Sequence, residues 1–172
     1  CLVGSEMCIR DRTETDDWET LKGKQIRLSP GVYTVKASSN GFDGSEAHFD
    51  TPYYAGSETV TIEKGVVATA NITCTQANVK VTVNYDQTFI DAFQNATATV
   101  TSSAAENQSL EYVMGTELRS GYFPVGELTA NITVVNKAGE SHTQDYSIKH
   151  ADGSTVAARD HFILNLSLIH IS

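Results

Sequence analysis

The sequence predicts an all-β protein, an antiparallel β-sandwich built as two small tandem lobes with one short helix near residues 86–93. Three observations lead there. Apolar and polar residues alternate with period two along most of the chain, the signature of half-buried strands. The alternating runs are short and are separated by Gly, Asn and Ser turns at similar spacing, as in sandwiches. Only "DQTFIDAF" follows a helical pattern, with Phe89, Ile90 and Phe93 on one side over about two turns.

The elements follow in order. "QIRLSPGVYTVKAS" alternates on both sides of Ser29-Pro30-Gly31 and reads as a hairpin, because Pro presets one turn dihedral and Gly permits the other. Ile26, Leu28, Val32 or Tyr33, and Val35 form its expected buried face. "ETVTIEKGVVATANITC" repeats the arrangement around Lys64-Gly65, with Val60, Ile62, Ala70 and Ile72 inward. "ANVKVTVNYD" sets Val79, Val81 and Val83 against Lys80, Thr82 and Asn84, the clearest half-buried strand of the chain. Further strands are expected in "ATATVTS", "SLEYVMG", "GELTANITVVN", "HTQDYSIKH" and "HFILNLS". An internal echo links "LSPGVYTV" to "LRSGYFPVGELTANITVVNKAG", each joining a strand to a Gly-containing turn and an aromatic. The expected lobes are 13–75 and 76–165, joined at Thr75-Gln76. A single larger sandwich is the other arrangement the sequence allows.

The two ends read differently. Residues 1–12 hold two of the three cysteines and one of the two methionines. Glu6 to Arg12 can be encoded within GGAGATGTGTATAAGAGACAG, whose reverse complement, CTGTCTCTTATACACATCTCC, translates to Leu-Ser-Leu-Ile-His-Ile-Ser, the residues Leu166 to Ser172. Both termini thus resemble sequencing-adapter DNA read through into an open frame, and 1–12 and 166–172 are set apart from the expected domains. Cys1 is accordingly no sign of lipidation, and the first strand of the N-terminal lobe is expected to be missing.

Composition narrows the function classes. The net charge of -9 disfavours nucleic acid, whose binding depends on clustered Lys and Arg. No polybasic patch points to anionic lipid, and no apolar run approaches the roughly twenty residues of a membrane helix. Cys74 alone remains between the two ends, so it has no intrachain disulfide partner there. It reads as a small buried hydrophobe rather than an activated nucleophile. There is no GxSxG elbow, phosphate-binding Gly loop, HExxH or CxxC, and His48, His142, His150 and His161 fall one to a segment. No enzyme and no cofactor is expected.

The stretch "SSNGFDGSEAHFDTPYYAG" holds the candidate site. Asp43, Glu46 and Asp50, with His48 between them, are oxygen donors within reach of a calcium ion, yet they lack the spacing of a calcium loop, so the reading is a metal-free solvated connection. Tyr53 and Tyr54 could stack on the apolar faces of pyranose rings, or one could plug a sheet edge while the other stays exposed. Asn-x-Ser/Thr triplets occur at Asn71, Asn95, Asn107, Asn131 and Asn165, four of them in or beside expected strands, where Asn and Thr are frequent anyway.

The order of "WETLKGKQIRLSPGVYTVKASS", "AHFDTPYYAGSETVTIEKG", "ITCTQANVKVTVNYDQTFIDAF", "GYFPVGEL" and "ARDHFILNLS" resembles the domain-of-unknown-function 4493 family of Bacteroidales surface lipoproteins over residues 16–165. The "CxxANVKVTVNY" segment is its most specific part; "LxPGxYTV" is shared with fimbrillin-like and transthyretin-like sandwiches. The resemblance implies an exported protein of the outer membrane or cell surface, held by a lipid on a cysteine upstream, and no catalytic residues. Two classes follow: a non-catalytic module for adhesion or carbohydrate binding, with glycans or cell-surface proteins as partners, and a structural subunit of a fimbria-like assembly using strand exchange.

Overall fold

The computed structural model describes residues 3–9, 12–21, 23–39, 44–105 and 107–168, with residues 3–9, 12–18 and 20 described by their backbone alone. The chain divides into two compact units, Cys1–Asp43 with Tyr53–Gln76, and Gly44–Pro52 with Ala77–Ser172. The expected join at Thr75-Gln76 lies beside the change of unit after Gln76. Residues 44–52, placed by sequence in the N-terminal lobe, belong to the second unit.

The first unit is one five-stranded sheet rather than a sandwich among the described residues. Its strands are β1 (Val3–Ile9), β2 (Arg12–Asp17), β3 (Gly31–Ser39), β5 (Tyr54–Ile62) and β6 (Thr75–Gln76), in the order β2-β1-β3-β5-β6. A helical turn, α1 (Trp18–Leu21), follows β2. The two hairpins expected here do not form. A strand has two edges, and β3 gives one to β1 and the other to β5, so residues 24–29 have no ladder to join. Ser29 serves instead as an anchor, its carbonyl accepting the Tyr33 hydroxyl at 2.8 Å. The turn at Lys64-Gly65 is present, with Gly65 at φ +77° and the Val66 N–H on the Glu63 carbonyl at 3.2 Å. The returning segment nevertheless lies along β5 without a ladder and pairs with it only at Thr75-Gln76. Val66, Val67 and Ala70 are exposed as a result, against the expected inward Ala70. Within the segment 1–12 set apart by sequence, Val3–Ile9 form β1 between β2 and β3.

The second unit is the sandwich. One four-stranded sheet has the order β13-β7-β10-β4, from β4 (His48–Phe49), β7 (Val79–Tyr85), β10 (Gly121–Phe123) and β13 (His161–Leu166). The other has the order β12-β11-β8-β9, from β8 (Phe93–Ser102), β9 (Ser109–Val113), β11 (Leu128–Asn136) and β12 (Ser141–Ile148). The first sheet is mixed, because β13 runs parallel to β7 where an antiparallel neighbour was expected. Period two decides the core: Val79, Val81 and Val83 are buried, as are Ala96, Ala98 and Val100 from β8 and Ala130, Ile132 and Val134 from β11. Each large apolar side chain so buried contributes about 1.5–3 kcal/mol. The helix α2 (Gln87–Ala92) is the one expected near 86–93. Asp86 caps it by accepting the Phe89 N–H at 2.8 Å, and Phe89 enters the core between Tyr85 and Phe93, with ring centroids 5.6 and 4.7 Å away. Leu166 ends β13 opposite Tyr85 and packs on this core, so the last apolar residue of the strand falls inside a segment set apart by sequence.

Candidate ligand-contact surface

Alternation separates the two candidate tyrosines. Along β5, Tyr54 falls in step with Gly56 and Glu58, whereas Tyr53, just before the strand, is in step with Ala55 and Ser57. The register with β3 places Ser38 opposite Ala55 and Lys36 opposite Ser57. Tyr53 therefore belongs to the face that carries Lys36, Ser38, Ala55 and Ser57, and these residues border a shallow groove of about 310 Å³. Tyr54 is 37% exposed and is not among the groove's described lining residues; its backbone N–H donates to the Ser39 hydroxyl at 3.2 Å. The opposite face of this strand pair is covered by residues 71–74. Asn71 donates its N–H to the Glu58 carboxylate, the Cys74 thiol lies 3.7 Å from the Ala37 carbonyl oxygen, and a Cβ on Gly56 would collide with the Thr73 carbonyl. Cys74 is half-buried. Of the two tyrosines, Tyr53 thus borders the groove, together with Ser38, Ser57 and Lys36.

Of the acidic candidates, the two that are described have separate partners. Asp43 lies outside the described residues. Glu46 accepts the His48 ring nitrogen at 2.9 Å. Asp50 adopts φ 53° and donates its N–H to the Ser120 carbonyl at 2.9 Å. Among the described residues no group of three His, Cys, Asp or Glu side chains could hold a metal ion. What sequence reading took for a solvated loop is partly structured, since His48 and Phe49 pair with Tyr122 and Gly121 as β4. Phe49 stands edge-on to Tyr112 at 5.2 Å between ring centroids, and the Arg119 guanidinium lies over the Phe49 ring, 4.6 Å from its centroid. Arg119 is in turn held by Glu117 at 2.7 and 2.9 Å, which lowers the Glu117 carboxyl to about 2.

Among the described residues the histidines have separate surroundings. His150 meets Asp160 at 2.8 Å, and Asp160 is held below the usual carboxylate range first by the Ala157 N–H and then by His150. His161 bonds the Thr82 hydroxyl at 2.9 Å; burial, and then the charge of Lys80, lowers its pKa. His142 borders a second groove, of about 330 Å³, which opens between β12 and β13 over Ala130, Ile132 and Val134. This groove had no sequence signal, because β12 was expected to be covered on one side; in the structure Ser141–Ser147 are exposed throughout.

The family described as Domain of unknown function (DUF4493) matches residues 6–170. No curated protein matches the chain. Among solved structures, a candidate adhesin of Bacteroides ovatus ATCC 8483 is similar with a TM-score of 0.50 and 6% identity, over 96% of this chain and 86% of that one. A candidate polysaccharide-binding protein (DUF1812) of Bacteroides thetaiotaomicron VPI-5482 gives 0.48 and 11%, over 97% and 84%. A candidate cell adhesion protein of the same strain gives 0.40 and 10%, over 96% and 79%. These likenesses concern the fold.

Proposed function

The chain belongs to the DUF4493 family, and from that premise we propose that it is a non-catalytic cell-surface module that binds carbohydrate. The observation that carries the reading is the placement of Tyr53 with Ser38, Ser57 and Lys36 around one shallow groove. A pyranose ring laid on the tyrosine would bury its apolar face, while hydroxyls and an ammonium serve its oxygens. The adhesin designation of the Bacteroides ovatus structure supports this class, as does the exported, lipid-anchored surface protein that the sequence resemblance implies. Chemistry on the sugar has no support in the described histidines, His48, His142, His150 and His161, each of which is engaged with a different partner or borders a different surface.

The test is a glycan array probed with the chain, with Tyr53→Ala and with Tyr54→Ala. Saturable binding that Tyr53→Ala removes and Tyr54→Ala preserves is the expected result. No binding to any glycan, or binding indifferent to Tyr53, would sink the reading. Appearance of shortened glycan would overturn its non-catalytic half.

A further inference from the structure

Among the described residues, the seam between the two sheets of the second unit is open along one side. Strands β12 and β13 stand at the ends of their sheets. The residues of β12 that share a face with buried Val134, Ile132 and Ala130 are His142, Gln144 and Tyr146, by direct pairing. All three are exposed, so the opposing sheet stops short of them.

The polar groups along this seam can be assigned from the ladder. Lys80 donates to the Asp160 carbonyl at 2.9 Å and Asp86 to the Leu166 carbonyl at 3.1 Å, which fixes the phase of the parallel pairing. Residues 162, 164 and 166 turn their N–H and C=O groups to β7, and Ile163 and Asn165 turn theirs to the free edge. Ile163 and Asn165 also border the groove of about 330 Å³. The groove has an apolar floor, no Asp, Glu, Lys or Arg among its described lining residues, and a flank of backbone donors and acceptors at a two-residue repeat.

We propose that this seam receives an extended, uncharged segment of another polypeptide, which pairs with the free edge of β13 at Ile163 and Asn165 and lays alternate apolar side chains over Ala130, Ile132 and Val134. A strand matches both features at once, since its hydrogen-bonding groups and its side chains repeat with the same period as the edge and the floor. An aliphatic chain would cover the floor and leave the edge to water. A second copy of this chain is a poor donor, because its alternating apolar strands Val79–Tyr85, Phe93–Ser102 and Leu128–Asn136 are each already paired on both sides, and the alternate apolar residues of His161–Leu166 are packed on its own core. A charged segment would lose hydration over a floor that offers no counter-charge.

The experiment uses the full chain and a synthetic peptide of about nine residues, alternating Val and Thr, titrated by calorimetry beside two versions N-methylated at every second residue in opposite registers. Saturable binding is expected for the parent and for one N-methylated version, and loss for the other, because only one register faces β13. Ile163→Pro removes a donor that the β7 ladder does not use, a place where an edge strand tolerates proline. Gln144→Trp fills the groove from an exposed position and covers the case in which Ile163→Pro fails to fold. Each should weaken peptide binding at least about tenfold with an unchanged circular dichroism spectrum. Absence of saturable binding by the parent peptide, or equal binding by both N-methylated versions, overturns the proposal. So does self-association of the wild type in sedimentation that Gln144→Trp abolishes, which would give the seam to a second copy.

Discussion

The Tyr112 hydroxyl accepts the Gly121 N–H and donates to the Val81 carbonyl, each at 3.0 Å. It reaches from β9 in one sheet to β10 and β7 in the other, and it fills the place a side chain at 121 would take: a Cβ there would overlap the hydroxyl and come within 2.7 Å of Leu110 Cδ1 and 2.9 Å of Phe123 Cε2. Gly121→Ala should therefore cost about 1–3 kcal/mol of stability through overpacking, and Tyr112→Phe a similar amount through the two polar groups it strands. Because Phe vacates part of the contested space, the double variant should cost less than the sum. Urea midpoints of the four proteins decide it, and strict additivity would refute the coupling.

Asp86 is lowered from its ordinary 3.8 first by the Thr88 hydroxyl and then by the Phe89 N–H at the helix cap. A depressed carboxyl stabilises the fold above its unfolded pKa, and that contribution fades as pH falls through the lower folded value. Asp86→Asn keeps a capping oxygen without the titration. Its unfolding midpoint should consequently fall less than that of the wild type between neutral pH and about pH 2; parallel curves would show that the cap is indifferent to charge.

Burial raises Tyr85 to about 12 and pushes Tyr112 higher still. Tyrosines that keep their protons in the fold stabilise it fully below about pH 10, the unfolded value, and lose that contribution as pH climbs toward the folded one. In an absorbance titration, Tyr85 and Tyr112 should ionise only as the chain unfolds. Tyr85→Phe should reduce the late group by one while losing the bond to the Tyr112 carbonyl at 2.6 Å, worth about 1 kcal/mol.

If carbohydrate is held on Tyr53, a millimolar affinity amounts to only about 4 kcal/mol, so Tyr53→Ala should abolish measurable binding. Lys36→Ala and Ser57→Ala should each weaken it by less. Equal effects of Tyr53→Ala and Tyr54→Ala in the same titration would restore the two-tyrosine platform that strand alternation argues against.

How much of this was legible in the sequence depended on whether burial was decided within one strand. Val79, Val81 and Val83 announce their strand because one face is wholly buried. The same holds for Ala96 to Val100 and for Ala130 to Val134. The hairpin about Ser29-Pro30-Gly31 was misread because local alternation cannot say which of several strands will claim an edge. β4 and β10, at two and three residues, are too short to carry a period, and they exist only through each other and β7. The division of Tyr53 from Tyr54 follows from alternation once the start of β5 is known, a boundary that composition does not mark. The open seam depends on where the opposing sheet ends, which no segment of β12 records.

The parallel partnership of β13 with β7 brings together groups such as Thr82 and His161, 79 positions apart. Its mixed sheet draws strands from residues 48–49, 79–85, 121–123 and 161–166, so no contiguous stretch emerging from a ribosome can complete it. Loop closure over such distances makes assembly slow and late. A chain built this way leaves this sheet incomplete until β13 is made, and a single break between β7 and β13 would leave two pieces that have to find each other by diffusion.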